Sequence, residues 1–268
     1  MDLAKFNFEP SVITDFMQSA IIDIGDELQL CVEVGGNPDH PPLLLIMGLG
    51  SQLVFWPDSF VKGLIDAGFF VIRFDNRDIG LSSKIARPFP RFPINNVKMM
   101  LRMQVGLTNR HFPVAYNLFD MVEDTRRLLD KLALKNVYVV GASMGGMIAQ
   151  ILAAKYPKRV STLGLMFTSN NKPFLPPTKP KQLQTLLSHP KTTQIDDVVA
   201  YGVWCMQRIG SPNHVDEEEV ERLIRLRFER SYHPRGALQQ LQAILATGSI
   251  VKCCANPISV LRTRMTVS

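Results

Sequence analysis

The sequence predicts an α/β fold, a mostly parallel sheet with helices on both faces and a helical cap inserted after the strands. Three observations predict it. Short unbroken apolar runs, the length of a strand buried on both faces, recur between stretches of helical period as far as residue 167. That alternation implies right-handed strand–helix–strand units and hence parallel pairing. From residue 170 to about 235 the rhythm breaks: the proline-rich KPFLPPTKPK leads into two or three helical stretches with no strand candidate.

Taken in order, Ile21 to Val34 reads as a hairpin, because IIDI and LQLCVEV flank the turn-forming Gly25-Asp26. LLLIM follows as a buried strand. Trp56 to Ala67 has helical spacing and stops at Gly68. FFVIRF, Phe69 to Phe74, is the next strand. Asn117 to Leu134 is an amphipathic helix with Leu118, Met121, Val122, Thr125, Leu128, Leu129 and Leu132 on one side. NVYVV, Asn136 to Val140, is a strand, Met144 to Tyr156 a helix ended by Pro157, and Val160 to Phe167 a further strand. The expected organisation is therefore an α/β core over residues 1–169, a helical cap over 170–235, and a return helix with an atypical tail over 236–268.

Composition narrows the function. Of 268 residues 46% are hydrophobic and 20% charged, which suits a globular chain with a sizeable core. No stretch approaches the ~18 apolar residues of a membrane span, and MDLAKFNFEP lacks the pattern of a signal peptide. A cytoplasmic location with no membrane partner is expected. The net charge of +6 is dispersed among acids, as in EEEVERLIRLRFER, without an aromatic-studded basic stripe, so no nucleic-acid partner is expected. Cys31, Cys205, Cys253 and Cys254 show neither metal-ligand nor disulfide spacing, which points to reduced thiols, no metal and no cofactor. The sequence leaves oligomeric state open.

The chemistry concentrates in three places. Gly141-Ala142-Ser143-Met144-Gly145 is a G-x-S-x-G motif, a weak pattern alone, but here it sits between a strand and a helix as a nucleophile turn requires. Ser143 would project its hydroxyl at a helix N-terminus, whose dipole favours developing negative charge. Met47-Gly48-Leu49-Gly50 follows the LLLIM strand, and glycines there allow a backbone to approach a substrate. Acyl transfer needs two preorganised N–H groups for the oxyanion, and Leu49 and Met144 are the candidates. Third, Asp75 and Arg77 in FDNRDIGLSS stand at a strand end, where they are expected to pair and organise the neighbouring loop. A glycine-rich turn without a catalytic task remains the alternative for each glycine motif.

Together LLLIMGLGSQLVFWP, GFFVIRFDNRDIGLSS, NVYVVGASMGGMIAQILAAKYPKRV and YHPRGALQQLQAILATGS resemble the α/β-hydrolase superfamily, over roughly residues 18 to 250. The likeness is to its branch of small esterases similar to aclacinomycin methylesterase. It implies about eight strands, a cap after strand six, Ser143 as nucleophile, and Leu49 with Met144 as oxyanion donors. Met47 stands where that family usually has a histidine. The resemblance points to hydrolysis of a carboxylic ester, a methyl ester among the candidates, with an apolar small-molecule substrate. A cofactor-free haloperoxidase-like enzyme and a non-catalytic truncated scaffold are the alternatives.

The resemblance also calls for a strand carrying an acid and a later loop carrying a histidine. After ILATGSIVKCCANPI the chain offers only SVLRTRMTVS, so the last one or two strands are expected to be missing and turnover impaired. Reading the Met265–Thr266 codons one base earlier produces an aspartate codon, which makes a frame-shifted tail the expectation there. Of His40, His111, His189, His214 and His233, the last three follow Ser143. Asp216 with His233 is an improvised pair in the right chain order, although Asp216 also fits a helix cap with Glu219.

Overall fold

The computed structural model describes residues 3–86, 94–176, 179–210 and 216–253. The expected acid and frame-shifted tail fall outside the described residues. The chain divides into two compact units, Phe174–Tyr232 and the remainder.

The larger unit holds a seven-stranded sheet: β1 (Glu9–Pro10), β2 (Gln18–Gly25), β3 (Leu28–Gly35), β4 (Pro42–Ile46), β5 (Phe70–Phe74), β6 (Val137–Ala142) and β7 (Val160–Met166), in the order β1-β2-β3-β5-β4-β6-β7. The first three strands and β5 pair antiparallel in sequence, whereas β5, β4, β6 and β7 are parallel. Composition follows pairing. In β2, buried Ile22 and Ile24 alternate with exposed Ile21 and Asp23, while β5 is buried at every residue.

Around the sheet lie α1 (Asp58–Asp66), α2 (Asn96–Gln104), α3 (Leu118–Lys131), α4 (Met144–Lys155) and, later in sequence, α8 (Pro234–Thr247). Asn117 starts α3 through a capping box: its side chain accepts from the Phe119 and Asp120 N–H groups, and Asp120 accepts from the Asn117 N–H. One face of α3 then buries Leu118, Met121, Val122, Leu128 and Leu129 with α4's Ile148, Ile151 and Leu152 in the main core. Each such side chain contributes about 1.5–3 kcal/mol. Helix α1 begins at Asp58 rather than Trp56, after a 3₁₀ turn at Leu53–Phe55.

The smaller unit contains α5 (Pro180–Leu187), α6 (Ile195–Ile209) and α7 (Glu217–Arg230) and no strand among its described residues. Gly202 lets α6 and α7 approach, because a Cβ there would strike the Ile224 side chain. Among the described residues no helix is long and apolar enough to cross a membrane.

Connectivity picks out one crevice. From β4 the chain passes through α1 to β5 on one side, while β6 pairs on the other side. The direction of winding therefore reverses at β4, and in such sheets ligands bind outside the carboxyl ends of the strands flanking the reversal. Two segments emerge there, residues 47–50 after β4 and residue 143 after β6.

Candidate active site

Ser143 occupies a turn between β6 and α4 with φ 52° and ψ −117°, in the left-handed region that a side chain normally avoids. Non-glycine residues in such regions cost on the order of 1–3 kcal/mol and persist only where their surroundings impose them. The surroundings here are specific. The Ser143 N–H donates to the Met166 carbonyl at 3.0 Å, and its own carbonyl accepts from Thr168 Oγ1 at 2.6 Å and from the Gly146 N–H at 3.0 Å. Three glycines make the turn possible. A Cβ on Gly145 would meet the Ile46 carbonyl, one on Gly141 the Gly145 backbone, and one on Gly146 the Thr168 side chain.

The segment after β4 lies directly against this serine. A Cβ built on Gly48 would stand 3.1 Å from Ser143 Cβ and 3.7 Å from its Oγ. Bond lengths then bound the Leu49 nitrogen to within roughly 8 Å of that oxygen. Met144, fully buried, is the first residue of α4, so its N–H has no carbonyl within the helix to bond. Ser143, Leu49 and Met144 are thus brought to one place, next to a twelve-residue helix whose N-terminus carries partial positive charge.

The loop over residues 47–53 is fixed from several directions. Asn76 Nδ2 donates to the Met47 carbonyl at 3.0 Å. Asp75, fully buried, accepts from the Leu53 N–H at 2.8 Å and the Leu81 N–H at 2.9 Å, joining two loops through one carboxylate. Gln240 of α8, also fully buried, accepts from the Gly50 N–H at 2.8 Å and donates to the Arg77 carbonyl at 2.9 Å. The expected Asp75–Arg77 pairing is corrected. Arg77 instead makes a two-pronged ion pair with Asp124 of α3, both contacts at 2.5 Å, and lies 4.9 Å from the Tyr116 ring centre. Asp75 thus serves the two loops, whereas buried Arg77 is engaged by α3.

Asp216 takes the helix-cap role that its sequence offered. Asp216 accepts from the Glu219 N–H at 3.1 Å as the cap of α7. His233 precedes α8 at its N-cap position, its Nε2 buried without a hydrogen-bond partner among the described residues. Burial holds its pKa below the usual histidine value, with Asp78 working in the opposite direction and Lys84 and Arg235 adding to the fall. Burial, with the Asp78 carboxylate beside it, raises the Tyr116 phenol well above its ordinary value. His111 is exposed, its ring tilted at 40° to that of Phe112 with the centres 4.5 Å apart. Among the described residues no group of three or more His, Cys, Asp or Glu could hold a metal ion. A cavity of about 400 Å³ bordered by Phe16, Met17, Val34, Gly35 and Phe70 includes neither loop of the crevice. Sequence reading missed Asn76 and Gln240; FDNRDIGLSS and ALQQLQ carried both residues but no local sign of their partners.

This fold and serine turn are those of an α/β-hydrolase. The family model described as alpha/beta hydrolase fold matches residues 41–198, and the chain belongs to that family. Among curated proteins it is similar to a rhodomycin D methylesterase of Streptomyces peucetius, 36% identical over 141 residues, an alignment spanning 53% of this chain and 39% of the methylesterase. It is also similar to a poly(3-hydroxyalkanoate) depolymerase of Ectopseudomonas oleovorans, 32% identical over 166 residues, 61% of this chain and 47% of that one. The chain thus aligns with less than half the length of either relative. Among solved structures it shares its fold with 2-hydroxy-6-oxo-6-phenylhexa-2,4-dienoate hydrolase from Rhodococcus sp. strain RHA1, with a TM-score of 0.62 at 17% identity over 91% of this chain and 79% of that one.

Proposed function

We propose that this chain is a serine hydrolase that cleaves a carboxylic ester, in the first instance a methyl ester, through an acyl-Ser143 intermediate. The observation that carries the reading is the strained Ser143 backbone with Gly48 packed against its side chain. Strain of this kind is kept where an exposed nucleophile is needed. In the reaction Ser143 Oγ attacks the ester carbonyl carbon and its proton passes to a general base, the role that the resemblance gives to a histidine in a later loop. The carbonyl oxygen gains the negative charge and receives the N–H groups of Leu49 and Met144. Collapse expels the alcohol, which takes up a proton, and water then releases the acid by the same route. The likeness to a protein named rhodomycin D methylesterase favours a methyl leaving group.

The test compares parent and Ser143→Ala on p-nitrophenyl acetate and butyrate, and on aromatic methyl esters by titrating released acid. The reading expects turnover that depends on Ser143 whatever its absolute rate. Equal rates in parent and variant would overturn it.

A further inference from the structure

Resting on that reading, we propose that Gln240 is a positioning residue for the oxyanion loop, fixing Gly50 so that the neighbouring Leu49 N–H is left to face the substrate. Four observations carry this. Gln240 belongs to α8, 190 residues from Gly50 in sequence, yet its amide joins the Gly50 N–H to the Arg77 carbonyl at 2.8 and 2.9 Å. The side chain is fully buried, so neither bond can be replaced by bulk water. Each end of the amide has one function: Oε1 accepts from the loop, and Nε2 donates to the segment whose Asn76 holds the Met47 carbonyl. Finally, Gly50 has φ 66° and a Cβ there would stand 3.2 Å from Ala237 of α8, so loop and helix are already in contact where the amide bridges them.

The consequence is a division of the loop's polar groups. Met47 gives its carbonyl to Asn76 and Gly50 gives its N–H to Gln240. Gly48 and Leu49 lie between those two anchors, with Gly48 against Ser143. A loop pinned on either side of its working peptide needs little reorganisation when charge develops on the substrate oxygen. A displacement of about 1 Å at such a donor costs on the order of 10²-fold in rate.

The experiment compares the parent protein with Gln240→Met, which keeps the volume and removes both bonds, and with Gln239→Met as control. Gln239 is the buried neighbour on α8, reaching the Ile85 carbonyl only at 3.4 Å. In Gln240→Met, kcat on the p-nitrophenyl ester is expected to fall about 10- to 100-fold with KM within about threefold. Hydrogen exchange of the 47–51 amides should quicken while β4 and β6 stay protected. In Gln239→Met, kcat and exchange of that loop should match the parent. Gln240→Glu retains an acceptor for the Gly50 N–H and is expected to keep loop protection closer to the parent than Gln240→Met. It also serves as the variant to measure should the Met substitution fail to fold. An unchanged kcat, a change confined to KM, or unaltered exchange at 47–51 overturns the assignment. If the parent itself shows no Ser143-dependent turnover, the esterase reading fails separately, and loop exchange alone decides the role of Gln240.

Discussion

Replacing Asp124 by Ala should destabilise the larger unit severely. Arg77 and Asp124 keep only 10% and 5% of their side-chain surface exposed, and the guanidinium meets both carboxylate oxygens at 2.5 Å. Removing the carboxylate strands a buried cation, which costs about 3–5 kcal/mol. The Tyr116 ring at 4.9 Å and the Asp120 carbonyl at 3.4 Å from Nη2 offset only part of this, because neither carries a full negative charge. At about 2–4 °C per kcal/mol for a chain of this size, Tm should drop roughly 6–20 °C. Urea unfolding and calorimetry of parent and variant measure it. The double variant Arg77→Met/Asp124→Leu removes both charges and should recover most of the loss, since a buried pair adds little beyond an apolar replacement. A single-variant loss under about 1 kcal/mol, or a double variant no better than the single, would refute the assignment of a desolvated, mutually dependent pair.

Three further outcomes follow from the same geometry. Ser143→Gly should be more stable than Ser143→Ala by about 1 kcal/mol, because only glycine adopts φ 52° without strain; equal melting temperatures would remove the strain argument. Gly146→Ala should cost about 1–3 kcal/mol by pushing Thr168 off the Ser143 carbonyl, read from denaturant midpoints. Burial alone would raise the pKa of Glu123, yet hydrogen bonds from Arg126, Lys155 and Tyr156 outweigh it and hold the pKa at about 2. A depressed carboxylate stabilises above its unfolded pKa and loses that contribution as pH falls through the folded value. Glu123→Gln should therefore be less stable at pH 7, on the order of 1 kcal/mol after allowance for partial exposure, with the deficit closing between about pH 5 and pH 2. A deficit that does not change with pH would contradict the charge-based account.

What the sequence disclosed was local. The strand-length run LLLIM, the apolar stripe of the helix from Asn117 and the glycines around Ser143 act within a few residues, so their patterns survive in one dimension. Helix α2 escaped because its exposed face is the apolar one: Val97, Leu101 and Val105 point outward while Met99 is its only buried residue. An amphipathic rule that assigns the apolar stripe to the core therefore gives no clear answer there. Arg77 illustrates a second limit. Asp78 and Asp75 are its nearest acids in sequence, but its guanidinium pairs with Asp124, 47 residues on, while Asp75 accepts from the Leu53 and Leu81 amides. The Gln240 bridge is a third case, a contact over 190 residues whose polar ends are indistinguishable in sequence from those of Gln239.

The central claim is that Ser143 is the nucleophile, and covalent capture tests it most directly. The protein is incubated with a fluorophosphonate, digested, and mapped by mass spectrometry, with Ser143→Ala alongside. The account expects one phosphonyl adduct, on Ser143 within the peptide spanning β6 and α4, and none in the variant. An adduct on another residue, equal labelling of the variant, or a parent left unmodified after prolonged exposure would contradict it.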